Sequence, residues 1–197
     1  MDLRRFTPAK RRLRTVVHVS NFRPVKRTAD AVRAFYLARR HVEARLVLVG
    51  RGPEEPEVRE LAARLGVLED VLFAGEEPDV PRRLRGAAAL LSTSEFEGFG
   101  MAVLEAMACG VPVVATRSGG VEEVTGGSAG LLADVGDVEA LGAALARVLA
   151  DAPLARNLGR AGRARAEALF DMDRIVPKYE ALYERVCGAR HAQDLSV

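Results

Sequence analysis

An α/β fold, with a parallel sheet covered by helices on both faces, is predicted by three features of the sequence. Short apolar runs rich in β-branched residues recur as far as Leu132, each bounded by Gly, Pro, Ser or charge. Segments with helical spacing lie between them. The runs are apolar at consecutive positions, the pattern of strands buried on both faces.

Strands are expected at Thr15–Val19, Arg45–Val49, Asp70–Phe73, Ala88–Leu91, Pro112–Ala115 and Ala129–Leu132. After the first, a helix is expected to begin near Pro24 and to turn Ala29, Val32, Phe35 and Tyr36 inward. After the second, Val58, Leu61, Ala62 and Leu65 form the next stripe. Strand signals stop at Leu132; Asp137 can then cap a helix with Val138, Leu141, Leu145, Val148 and Leu149 on one side. The last helix carries Ile175, Val176, Tyr179, Leu182, Tyr183 and Val186, a stripe broad enough to dock on the sheet or on another domain.

A chain of 197 residues that is 49% hydrophobic and 28% charged suits one packed domain. We divide it into a linker remnant, residues 1–14, and a domain of residues 15–197. Arg4, Arg5, Lys10, Arg11, Arg12 and Arg14 make the start basic, but a net charge of +2 is too balanced for a nucleic-acid surface, and the run reads as a solvated linker. Cys109 and Cys187 have neither metal-ligand spacing nor a disulfide framework; they read as packing residues and suit a reducing cytosol. No apolar run has the length of a membrane span, and no apolar signal core follows the N-terminus. Of the histidines, His18 falls within the first strand and reads as packed or locally hydrogen-bonded, while His41 and His191 sit among charges. None is a convincing catalytic base.

Doubly wound sheets bind ligands beyond the carboxyl ends of their strands, so the residues after each strand are where chemistry is sought. Ser20 to Arg27 follow the first strand and include Asn21, Arg23, Lys26 and Arg27. Lys26 is one of only three lysines in the chain. Cations at a helix start could neutralise a diphosphate without a metal ion, although a solvated basic turn has the same composition.

The segment from Ser94 to Pro112 is more specific. Gly98 and Gly100 bracket Phe99 where a strand should hand over to a helix, so that backbone N–H groups can approach a phosphate. Glu97 lies in that loop. Glu105 lies about two turns into the helix, among Val103, Leu104, Ala106, Met107 and Ala108, where an unpaired carboxylate is costly. The pair can address two parts of an elongated polar ligand. Met101 and Met107 read as core packing and Glu95 as a solvent-exposed charge.

The run EFEGFGMAVLEAMACGVPVVATRSGG, with two glutamates separated by seven residues, is similar to the signature of family-four retaining glycosyltransferases. The resemblance extends through RLVLVGRGPE, VLFAG and FDMDRIVPKYEALYERV, nearly the whole chain. It implies the C-terminal, Rossmann-like half of a GT-B fold, and a missing N-terminal domain that would bind the acceptor. It implies further that Glu97 contacts sugar hydroxyls, that the Phe99, Gly100 and Met101 backbone meets sugar and phosphates, that Glu105 holds the ribose hydroxyls and that Lys26 faces the diphosphate. Family members commonly carry arginine where this chain has Asn21, and we expect Arg23 to supply the missing cation. The loop from Gly75 to Val80 resembles the part that meets the base. Catalytic roles therefore fall to Glu97, Lys26 and Arg23, with no metal.

HVSNFRPVKR is similar to a subfamily that joins N-acetylglucosamine from UDP to L-malate in bacillithiol synthesis. A family-four transferase with a lipid or polysaccharide acceptor, and a non-catalytic nucleotide-sugar-binding module, stay open. A dinucleotide oxidoreductase is disfavoured, because no G-x-G-x-x-G follows the first strand. The expected isolated activity is donor binding without transfer.

Overall fold

The computed structural model describes residues 1–9 and 13–194; Lys10, Arg11 and Arg12 lie outside the described residues. The elements run β1 (Thr15–Val19), α1 (Thr28–Arg39), β2 (Arg45–Val49), α2 (Glu55–Arg64), β3 (Val71–Gly75), α3 (Val80–Leu84), β4 (Ala89–Ser92), α4 (Met101–Ala108), β5 (Val113–Thr116), α5 (Gly120–Thr125), β6 (Gly130–Ala133), α6 (Val138–Ala150), α7 (Ala152–Leu169) and α8 (Met172–Asp194). The six strands form one sheet in the order β3-β2-β1-β4-β5-β6, and every adjacent pair is parallel. This is the doubly wound, Rossmann-like architecture expected.

The consecutive apolar residues of each strand divide between two cores. Val16, Leu46, Leu48, Leu91 and Val114 face α1, α2 and α6 on one side of the sheet. Val17, Val47, Val49, Leu90, Val113 and Ala115 face the other side, with α4 and α5. A period-two chain covered on both faces must be apolar at every position, which is why the strands read as unbroken runs. Each fully buried Val or Leu contributes about 1.5–3 kcal/mol. Asp137 caps α6 by accepting a hydrogen bond from the Ala140 N–H at 2.9 Å, as its position suggests.

Local expectations are corrected or narrowed at four points. The helix expected near Pro24 begins at Thr28: Pro24–Lys26 form a single 3-10 turn, and Arg27, left-handed at φ 48°, separates it from α1. Asp70 belongs to a 3-10 turn, and β3 continues instead to Gly75. Of the two placements left open for the apolar stripe of α8, docking on the sheet is not observed: Val176, Tyr179, Leu182, Tyr183 and Val186 are exposed. Residues 1–9 are not wholly solvated, since Leu3 and Phe6 are buried in the second core and the Met1 amino group donates to the Phe170 carbonyl at 2.8 Å.

Candidate functional site

β1 and β4 are neighbours, yet their following helices pack on opposite faces, α1 in the first core and α4 in the second. The loops leaving the two strands therefore diverge and open a crevice at the carboxyl edge of the sheet. Lys26 follows β1 and Glu97 follows β4, so chain topology alone brings them to that crevice.

The two side chains meet. Lys26 Nζ donates to Glu97 Oε1 at 2.7 Å, and both side chains are about four-fifths buried. The Ser94 hydroxyl donates to the same oxygen at 2.8 Å. Backbone contacts hold the surrounding loops in place. The Thr93 hydroxyl reaches the carbonyls of Lys26 and Arg27, and the Glu95 N–H donates to the Val25 carbonyl. From β5, the Thr116 hydroxyl donates to the Ser94 carbonyl at 2.6 Å, and the Gly120 N–H donates to the Glu97 carbonyl at 2.9 Å.

Glycine makes the closest of these approaches possible. A Cβ on Gly119 would lie 2.1 Å from the Glu97 carbonyl oxygen, and the residue has φ 49°. A Cβ on Gly52, after β2, would lie 1.9 Å from the Asn21 carbonyl oxygen. Both loops are pressed together more tightly than any side chain permits.

His18 is buried at the end of β1. Its Nδ1 lies 2.9 Å from the Leu91 carbonyl, which can only accept, so Nδ1 carries the proton. Nε2 then accepts from the Ser20 hydroxyl at 2.9 Å, and Ser20 in turn accepts from the Thr28 hydroxyl and the Phe22 N–H. Burial is the main reason that the imidazole pKa falls to about 4, with Lys26 pushing the same way against the Leu91 bond and Glu97. A neutral His18 thus ties β1, β4 and the first loop together.

The other expected residues are placed less centrally. Asn21 and Arg23 are exposed on the first loop. Arg27 pairs with Asp30 at 2.7 Å and with Glu95 at 3.7 Å. Gly98 is open, with nothing within 4 Å of an added Cβ. Gly100 precedes α4 at φ 85°, and no side chain caps the helix, so its first N–H groups lack an intrahelical acceptor. Phe99 lies edge-on to Phe170 at 5.7 Å between centroids, while Phe96 and Met101 are exposed. Met101 is thus not the core residue its type suggests, whereas Met107 is fully buried.

Glu105 is half-buried, and that burial raises its pKa, with the charge of Arg5 opposing. It joins neither Lys26 nor Glu97. The site residues that sequence reasoning missed are Ser94, Thr116, Gly119 and Gly120. All lie within quoted motifs, but their roles depend on contacts across strands. Among the described residues no group of three or more metal-ligating side chains occurs. Among the same residues no helix is long and apolar enough to cross a membrane.

The family model described as glycosyl transferases group 1 matches residues 2–165. N-acetyl-alpha-D-glucosaminyl L-malate synthase of Bacillus anthracis is 41% identical over 169 residues, 85% of this chain and 44% of the relative. A GDP-mannose-dependent alpha-(1-6)-phosphatidylinositol monomannoside mannosyltransferase of Mycolicibacterium smegmatis is 39% identical over 191 residues, 83% of this chain and 49% of the relative. The chain thus spans about half the length of these curated relatives. Among solved structures, sucrose-phosphate synthase from Thermosynechococcus elongatus has a TM-score of 0.83 at 29% identity, with 96% of this chain and 51% of that one covered. Anabaena HepE, solved in complex with UDP, shares the fold with a TM-score of 0.86 at 24% identity, over 94% of this chain and 56% of that one. A C-terminal domain of a group 1 glycosyl transferase from Francisella tularensis, 20% identical with a TM-score of 0.79, covers 87% of this chain and is itself 99% covered.

Proposed function

The chain belongs to the group 1 glycosyl transferases, and from that premise we propose that it is the donor-binding part of a retaining enzyme that takes a sugar from UDP-N-acetylglucosamine. The observation that carries this reading is the 2.7 Å Lys26–Glu97 pair at the opening between β1 and β4. An ammonium has three donors, and Glu97 occupies one, so Lys26 can hold the carboxylate and also meet a diphosphate. Lys26, with Arg23 on the same loop, would balance the charge that grows on the leaving diphosphate. Glu97 would accept from sugar hydroxyls, and Glu105 from the ribose. The uncapped start of α4, with Phe99, Gly100 and Met101, would offer N–H groups to sugar and phosphate.

L-malate is the proposed acceptor, by analogy with the Bacillus anthracis relative named for it. The Mycolicibacterium smegmatis relative is named for GDP-mannose and a phosphatidylinositol monomannoside, which keeps a mannosyl donor with a lipid acceptor as the second reading. Calorimetric titration with UDP-, GDP- and ADP-sugars separates the two. Tightest binding of UDP-N-acetylglucosamine is expected, and preference for GDP-mannose overturns the donor assignment.

This chain alone is expected to bind donor without transferring sugar at an enzymatic rate, because transfer needs acceptor and donor held in register with water excluded. A missing N-terminal domain would supply the opposing wall. Mass spectrometry of chain incubated with donor and malate, alone and with that domain added in trans, checks this. Robust turnover by the chain alone refutes the half-enzyme reading.

A further inference from the structure

We propose that Ser94 is a positioning residue that fixes the plane of the Glu97 carboxylate, so that one of its oxygens stays open to the sugar. The inference rests on the reading that Glu97 meets the sugar half of the donor. Glu97 Oε1 accepts from both Lys26 and Ser94, at 2.7 and 2.8 Å. Among the described residues Oε2 has no hydrogen-bond partner, so its lone pairs are the ones open to a hydroxyl donor.

The two donors do not hold the carboxylate equally well. Lysine is a point charge on a flexible four-carbon stem, able to follow either oxygen as the carboxylate turns. The terminal torsion of a glutamate is broad, so Lys26 by itself leaves the plane of the carboxylate free to turn. Ser94 is different. It is 2% exposed, its carbonyl is held by the Thr116 hydroxyl at 2.6 Å, and its single hydroxyl proton points at Oε1. Thr116 ends β5, so the reference is anchored in the sheet. When a diphosphate draws on the Lys26 ammonium, Ser94 remains as the neutral group that keeps Oε1 in place and Oε2 outward. An acceptor held in this way before binding costs less to order when the sugar arrives.

Ser94 should therefore matter for the sugar and not for the nucleotide. The test is calorimetric titration of UDP and UDP-N-acetylglucosamine into the parent chain, S94A, E97A and the S94A/E97A double variant. S94A is expected to weaken UDP-N-acetylglucosamine roughly five- to tenfold while UDP stays within about twofold. In the E97A background the same substitution should add no further loss, because its effect passes through Glu97. Equal loss for both ligands, or an undiminished loss in the E97A background, overturns the proposal. Should S94A not fold, T116V releases the Ser94 carbonyl and is expected to show the same selectivity for the sugar; equal effects on both ligands again count against it. If E97A loses UDP-N-acetylglucosamine selectively and S94A does not, only the Ser94 assignment fails. If the parent does not bind UDP-N-acetylglucosamine, or E97A leaves its binding unchanged, the reading of Glu97 fails and this inference goes with it.

Discussion

Lys26 and Glu97, 71 residues apart in the chain, form a 2.7 Å ion pair that closes the gap between the loops after β1 and β4. Lys26 is assigned to the diphosphate and Glu97 to the sugar bonded to it, and the two side chains touch. The pairing sharpens what substitution of either should do.

Lys26→Ala is expected to weaken UDP about tenfold or more, since a charge-assisted contact contributes roughly 1.5–3 kcal/mol. Arg23→Ala should act in the same direction. Calorimetry with UDP alone is the measurement. UDP affinities equal to the parent's in both variants would remove the diphosphate role from this loop.

Glu97 and Glu105 should separate by ligand. Glu97→Ala is expected to weaken UDP-N-acetylglucosamine and leave UDP nearly unchanged, whereas Glu105→Ala should weaken both. Glu105→Gln should also raise the melting temperature of the ligand-free chain at neutral pH. Burial raises the carboxyl pKa, so the charged form is disfavoured by folding, and removing the charge relieves that cost. A lower melting temperature for the glutamine variant, measured by calorimetry, would contradict this account.

His18 sets an acid limit on stability. Its pKa drops from 6.5 to about 4 on folding, so protons bind preferentially to the unfolded chain as the pH falls below 6.5. The stability it permits is complete above that value and is lost progressively towards pH 4, by on the order of a few kcal/mol. Thermal melts between pH 7 and about 4.5 should fall more steeply for the parent than for His18→Asn, which has no proton to gain in that range. Parallel slopes would argue against His18 as the source.

Gly119→Ala is expected to destabilise the chain by about 1–3 kcal/mol, through both the strained φ and the contact with the Glu97 carbonyl. Because that contact moves Glu97 itself, binding of UDP-N-acetylglucosamine should suffer more than binding of UDP. Gly127→Ala is the control for a positive φ: Gly127 has a φ of 70°, but nothing lies within 4 Å of the added carbon. Equal effects of the two substitutions on sugar binding would show that backbone strain, and not displacement of Glu97, is responsible.

Much of the fold was legible because each strand carries its own signal. Buried on both faces, the strands had to be apolar throughout, and all six were found within a few residues of their observed ends. The long helix α6 was equally legible, from its Asp137 cap and its Leu141, Leu145 and Val148 stripe. The short helices α3 and α5 were not recognised, since five or six residues hold too few turns for periodicity to emerge. Lys26 and Glu97 stood out by type and place, but Ser94 and Thr116 did not, because a serine or threonine becomes a site residue only through what it faces.

The sequence by itself determined the alternating α/β architecture, the loops that carry the chemistry and the family resemblance, all of which are written in neighbouring residues. Only the tertiary structure decided that Lys26, Ser94 and Glu97 share one oxygen, that Gly119 lies against the Glu97 carbonyl, and that His18 joins β1 to β4. The physical reason is that these contacts are set by strand order. The β1–β4 adjacency brings together segments about 70 residues apart, and no local propensity encodes which donors a carboxylate will meet.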